Sequence, residues 1–103
     1  MEASLTHEAF SQHAGTKFQV QVDENTGTEL ELVDVSELKV YPRQEEFTLL
    51  FRGPADAFLD QSARLFAHDK MGQFELFIVP VKQDAQGFYY EAVFNRIRES
   101  SSS

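Results

Sequence analysis

The sequence contains no cysteine. Disulfides, thiolate metal ligands and a cysteine nucleophile are therefore excluded together, and the redox compartment is left open. Tryptophan is absent too. The apolar bulk comes instead from ten phenylalanines, which bring buried area without a polar atom that needs a partner. Basic residues are scarce: 9 Lys and Arg stand against 17 Asp and Glu, a formal net charge of −8. Those present are interleaved with acids, Arg43 with Glu45 and Glu46, Arg96 and Arg98 with Glu99. Without a concentrated basic face the chain has no electrostatic footprint for a phosphate backbone or an anionic bilayer, so neither nucleic acid nor a membrane is expected as a partner. Long apolar runs are missing as well. The longest, Leu76 to Val81, is interrupted by Pro80 and is too short to cross a bilayer. The N-terminus shows no basic-then-apolar leader pattern. A soluble, cytoplasmic protein is expected, its acidity serving solubility.

What is present is β-patterning. A chain of 103 residues makes one domain that buries roughly two-thirds of its unfolded surface. That domain is expected over residues 1–98, followed by a disordered Ser-rich tail at 99–103. The organising stretch runs from Gly72 to Arg98. It reads as two strands, Gly72 to Val81 and Phe88 to Ile97, joined by Asp84-Ala85-Gln86-Gly87. Asp84 can accept a backbone hydrogen bond in that turn and Gly87 can take a positive φ. Setting Asp84 opposite Phe88 pairs Ile78 with Phe94, Val79 with Val93 and Val81 with Glu91. One face then carries Phe74, Leu76, Ile78, Ala92 and Phe94, and the other Phe77, Val79, Val81 and Val93. Both faces are apolar, so the rest of the chain is expected to cover both.

Upstream, Thr6 is an N-cap, Glu8 suits the first helical turn, and Leu5 and Phe10 fit a hydrophobic staple. The helix is predicted from His7 to Ala14, ended by Gly15, with Phe10 as the anchor that docks it. Phe18, Val20 and Val22 alternate with polar residues as a half-buried strand, and Asp23 to Gly27 is turn chemistry. On the return strand the apolar phase shifts from Leu30 and Leu32 to Val33 and Val35, which predicts a β-bulge near Leu32-Val33 that bends the strand to serve two walls. Leu38, Val40 and Tyr41 suggest a short strand ended by Pro42. Phe47, Leu49 and Phe51 form another, stopped by Gly53-Pro54. Phe58 and Leu59 are read as plugging one end of the core. Arg64 to His68 reads as a strand with Arg64, Phe66 and His68 on one side. The predicted fold class is mainly β: an antiparallel β-sandwich or small, partly open β-barrel of six to seven strands with one short N-terminal helix as a lid.

Few residues suggest chemistry. His7 and His13 lie six apart on a short helix, on nearly opposite sides, and read as solvent-exposed. His68-Asp69 is the most catalytic-looking pair, with Asp56 and Asp60 a loop away, but neighbouring strand residues point to opposite faces and no nucleophile elbow accompanies them. The competing reading is a histidine at a strand end bonded to backbone. Arg52, before a rigid Gly-Pro turn, can pair with Glu91 or Asp56, or else bind a ligand carboxylate. The carboxylates are too scattered for a calcium loop. No catalytic, cofactor-binding or metal-binding residue is assigned, and no cofactor is expected.

Three runs carry a resemblance: Phe47-Thr48-Leu49-Leu50-Phe51-Arg52-Gly53-Pro54, then Gly72 with Leu76-Phe77-Ile78-Val79-Pro80-Val81, then Tyr90-Glu91-Ala92-Val93-Phe94-Asn95-Arg96. Together, from Leu5 to Arg96, the chain resembles a family of short bacterial domains of unknown function. His68 fits that pattern, whereas Gln61-Ser62-Ala63-Arg64 departs from the Gln-Gly-x-Tyr frequent in it. The resemblance transfers no activity. Its setting beside tail-collar-like proteins of phage origin implies an assembly or accessory role. The functional expectation is a non-enzymatic interaction or structural module with a protein partner or self-association, using exposed apolar groups at Phe58, Tyr41 and Tyr89. The alternative is a small-molecule-binding module or weak enzyme with Arg52, His68 and Asp56 converging on a pocket.

Overall fold

Period-two alternation becomes strand over most of the chain. The computed structural model describes residues 5–97. A helix, α1 (His7–Gln12), is followed by β1 (Lys17–Gln21), β2 (Gly27–Val35), β3 (Lys39–Val40), β4 (Gln44–Gly53), β5 (Ser62–His68), β6 (Gly72–Asp84) and β7 (Gly87–Ile97). The tail expected at 99–103 lies outside the described residues. The strands pair in the order β2-β1-β5-β6-β7-β4, every pair antiparallel, and β4 pairs back onto β2, while β3 adds to β4 as an extra strand. The result is a closed six-stranded barrel, which settles the choice between barrel and sandwich. The bulge in β2 makes closure possible. Gly27 to Glu31 pairs with β1 and Glu31 to Val35 with β4, and the register of the second pairing shifts between Leu32 and Asp34. The extra residue, Val33, bends one strand into two walls.

The inner phase of each strand forms one core. Phe18, Leu30, Leu32, Leu49, Phe51, Phe66, Ile78 and Tyr90 have no exposed surface. Phe51 packs its ring on Phe18 at 5.5 Å and on Phe66 at 5.1 Å, edge-on and tilted, arrangements that aromatic quadrupoles favour. Val22, expected as the last half-buried position of its strand, is exposed beyond the end of β1.

Helix α1 closes one mouth of the barrel. Thr6 caps it by accepting the Ala9 N–H at 3.1 Å, and Gly15, at φ +86°, sends its N–H to the Leu32 carbonyl at 2.7 Å. That bond draws the chain onto β2, and the helix ends at Gln12 rather than Ala14. Phe10 is fully buried against Phe74, Phe94 and Phe47, with ring centroids 5.7, 5.8 and 5.9 Å away. His7 is not solvent-exposed as expected. Its Nε2–H donates to the Ser36 carbonyl at 2.8 Å and its ring sits edge-on to Phe47. His13 is half-buried beside His68, 4.7 Å between centroids. A helix this short depends on docking, and its histidines take part in it.

The hairpin of β6 and β7 brings two corrections. Asp84 pairs with Gly87, not Phe88, around a two-residue turn in which Asp84 Oδ1 accepts the Gln86 N–H at 2.8 Å and Gly87 takes φ +143°. The register then shifts again between Pro80 and Lys82, so Val79 faces Glu91 rather than Val93. Pro80 has no N–H to donate, and the bulge at Val81 absorbs the break. Two one-residue shifts restore the original parity. Phe74, Leu76, Ile78 and Ala92 therefore point inward as expected, with Phe94 half-buried. The second correction concerns the other face. Phe77, Val81 and Val93 are 54%, 47% and 52% exposed, and nothing described covers them. A closed barrel has one interior, and α1 is held at the mouth by Phe10 rather than lying on the outside.

Candidate functional site

Arg52 lies on the outward phase of β4, directly across from Glu31 of β2. Its Nη2 donates to Glu31 Oε1 at 2.7 Å and its Nη1 to Gln86 Oε1 at 3.1 Å. The partners expected for it, Glu91 and Asp56, are not the ones it takes, because the closure of β2 onto β4 brings Glu31 beside it first. The Tyr89 hydroxyl and Glu31 further favour the charged guanidinium. Arg52 borders a cleft of about 290 Å³ with Lys17, Thr28, Glu29 and Pro54. The guanidinium is thus already neutralised where a ligand carboxylate would have to bind.

His68 ends β5 on its inward phase and lines a different cleft, of about 500 Å³, with His13, Thr16, Gln19, Asp69 and Lys70. Its Nδ1 accepts the Lys70 N–H at 3.0 Å and the Met71 N–H at 3.3 Å. That fixes the proton on Nε2, which lies 3.0 Å from Thr16 Oγ1; the Thr16 hydroxyl in turn donates to the His13 carbonyl at 2.6 Å. The ring packs 4.4 Å from Phe18. Burial first, and the neighbouring His13 second, hold the imidazole below its ordinary pKa of 6.5. Both nitrogens are occupied by the fold, so His68 offers neither a free lone pair for a metal nor an unengaged base. It clamps the β5–β6 turn and ties it to the C-terminal end of α1. The Asp69 carboxylate is no part of that hydrogen-bond chain.

The two clefts share Lys17 and Glu29 along a common wall, and Asp56, exposed, borders neither. Arg52, His68 and Asp56 are thus not brought into one pocket. Among the described residues no three His, Asp or Glu side chains converge for a metal ion. Of the expected contact groups, Phe58 is 53% and Tyr41 43% exposed. Phe58 leans on Phe88 at 5.1 Å rather than plugging the core, a task that falls to Leu59. Tyr89, expected to be exposed, is only 7% so, with Lys82 over its ring at 4.6 Å.

Residues 5–94 match a family described as a domain of unknown function, DUF6916. The chain belongs to that family. Neither a curated protein nor a solved structure matches it. The match covers most of the span over which the resemblance ran.

Two further polar side chains of this family domain prove structural. Tyr90, buried, accepts the Leu59 N–H at 2.9 Å and reaches the Ala57 carbonyl at 3.5 Å, so it holds the loop that seals one barrel end; burial raises its pKa. Arg64 donates from Nη1 to the Val22 carbonyl at 3.0 Å, terminating β1. Its place on the inward phase with Phe66 and His68 was legible from the alternation. The outer face of β6 and β7 was legible too, as apolar, but not as uncovered.

Proposed function

We propose that this domain is a non-enzymatic protein-interaction module, the accessory or structural part of a larger assembly, and that its contact surface is the outer face of β6 and β7. The observation that carries the reading is the exposure of Phe77, Val81 and Val93 on that face, with Leu65 of β5, 42% exposed, nearby on the same outside surface. An apolar outer face that no described element covers is a signature of protein contact. Phe58 and Tyr41 add exposed rings elsewhere. A small-molecule site near Arg52 and His68 is supported less, because each of those side chains already satisfies a neighbour in its own cleft.

The test is affinity capture from cells that make the protein, comparing the tagged wild type with a Phe77→Ser/Val93→Ser double variant of equal thermal midpoint. A stoichiometric partner retained by the wild type and lost by the variant is expected. Equal recovery by both, or no partner with either, would overturn the assignment of this face.

A further inference from the structure

Histidine is the side chain whose ordinary charge change falls between pH 5 and 8, and the chain's three histidines all lie where α1 docks. His7 holds the first turn of the helix to Ser36, and His13 and His68 stand ring to ring at its end. What the helix covers is a gap in the sheet. The ladder between β6 and β7 stops at Val79↔Glu91. Beyond it, among the described residues, each strand is paired only on its far side, Gly72 to Ile78 with β5 and Ala92 to Ile97 with β4. Phe10 fills the opening between Phe74 and Phe94.

The histidines differ in what a proton does to them. His7 donates from Nε2, so a second proton enters at Nδ1 and leaves its bond to Ser36 in place. His68 has its lone pair on Nδ1, where it accepts the Lys70 and Met71 N–H groups. A proton there turns an acceptor into a donor facing two donors, and the ring must leave. Its departure also removes the Nε2 bond to Thr16, whose hydroxyl reaches the carbonyl of His13, the C-cap of α1. The charged groups around the ring do not cancel this conflict. Asp69 favours the proton, His13 and Lys70 oppose it, and Lys17 and Glu29 on the cleft wall are paired with each other at 3.7 Å. A charge on His13 by itself suits a helix C-terminus, so the conflict is the one at His68. Two backbone bonds are untouched by titration: the Gly15 N–H to the Leu32 carbonyl, and the Leu32 N–H to the Thr16 carbonyl. They keep the end of α1 tethered to β2, with Gly15 at φ +86° as a pivot.

We propose that α1 is an acid-released plug: a proton taken up at His68 Nδ1 breaks the tie between the helix end and β5, and the helix swings on Gly15 to uncover the gap between β6 and β7. The proton favours the opened state only by as much as His68 binds it more weakly in the closed one. Native-state amide exchange, which senses openings too rare to populate, is therefore the test, on the full chain from pH 7 to 5 with the intrinsic pH dependence of exchange divided out. At every pH the Phe10 and His13 N–H groups, bonded along the helix, are expected to be less protected than those of Leu49 and Phe51 in β4, because the plug leaves without the barrel unfolding. Their protection is expected to fall at least about tenfold over that range, and to stay constant in His68→Gln, which cannot take the proton. Helix protection equal to that of β4 throughout would mean that α1 leaves only with global unfolding. Helix protection indifferent to pH, or falling as far in His68→Gln, would separate the helix from His68. Each of these results overturns the inference. Should His68→Gln fail to fold, His13→Gln decides, since it removes the neighbouring charge and not the clamp: a lessened fall is expected, and an undiminished one overturns the inference. His7→Gln is expected to keep the wild-type fall, and its loss there would move the trigger away from His68 and overturn the inference as well.

Discussion

The two halves of the β6–β7 hairpin are made of the same strands and behave differently. From Val79 to Gly87 the strands pair, and the tip lies so close to β4 that a side-chain carbon on Gly87 would collide with the Gly53 carbonyl. From Gly72 to Ile78 and from Ala92 onward they part, and a phenylalanine from a six-residue helix holds the space between them. The closed half is fixed by backbone: a proline, a bulge, a two-residue turn and a glycine. The open half is fixed by side-chain packing from another element. Backbone constraints are local and stiff, whereas a plug is held only by the contacts that dock its helix.

The plug should carry the larger share. Phe10→Ala is expected to cost about 3–5 kcal/mol, the range for emptying a fully buried aromatic site, read as a fall in the urea midpoint. A loss under about 1 kcal/mol would mean that the open half stands without α1. In the closed half, Gly87→Ala combines a positive φ with a backbone collision and is expected to cost about 2–3 kcal/mol. Wild-type stability in that variant would show that the tip can lift off β4. Tyr90→Phe leaves the Leu59 N–H buried without its acceptor; a loss of about 1–2 kcal/mol is expected, with faster amide exchange at Leu59 as its local sign.

Acid should act on the open half first. His68 is held neutral in the fold, with its pKa below the ordinary 6.5 by burial and by His13; Lys70 acts in the same sense and Asp69 against it. A depressed folded pKa means that the unfolded chain takes up the proton first. The contribution is therefore complete above pH 6.5 and is lost as pH falls from there through the folded value. Asp23 and Asp84, each accepting backbone N–H groups in a turn, are likewise held below 3.8 and add a second loss under that pH. Urea midpoints across pH 7 to 5 should fall for the wild type and stay flatter for His68→Gln; parallel curves would rule His68 out as the source. The smallest effect belongs to the outer face. Phe77→Ser should shift stability by about 0.5 kcal/mol or less, and a large loss would show that this face is structural rather than a contact surface.

Much of this was legible beforehand. Thr6, Phe10 and Gly15 specify the helix through capping, anchoring and a left-handed stop. The slip of apolar phase at Leu32-Val33 announced the bulge that closes the barrel. The inward phase of each long strand followed from alternation alone. The hairpin register is not legible because the tight turn and the bulge after Pro80 each move it by one residue, and two such shifts restore the parity that alternation displays. Arg52 was matched to the wrong carboxylate because Glu31 is 21 residues away in sequence and adjacent only after closure. His68 was recognised as either catalytic or backbone-bonded. Its two acceptor bonds from the turn and its donor bond to Thr16 give the backbone-bonded geometry, which depends on β5, α1 and the β5–β6 turn meeting.

By itself the sequence determined strands, turns, the capped helix and which side chains of each strand share a face, since these depend on spacing and local backbone chemistry. Only the tertiary structure decided that the sheet closes, that one apolar face of the main hairpin stays outside, and which partner each polar side chain takes. Those outcomes depend on which distant strand edges meet, and period-two patterning is the same whichever edges they are.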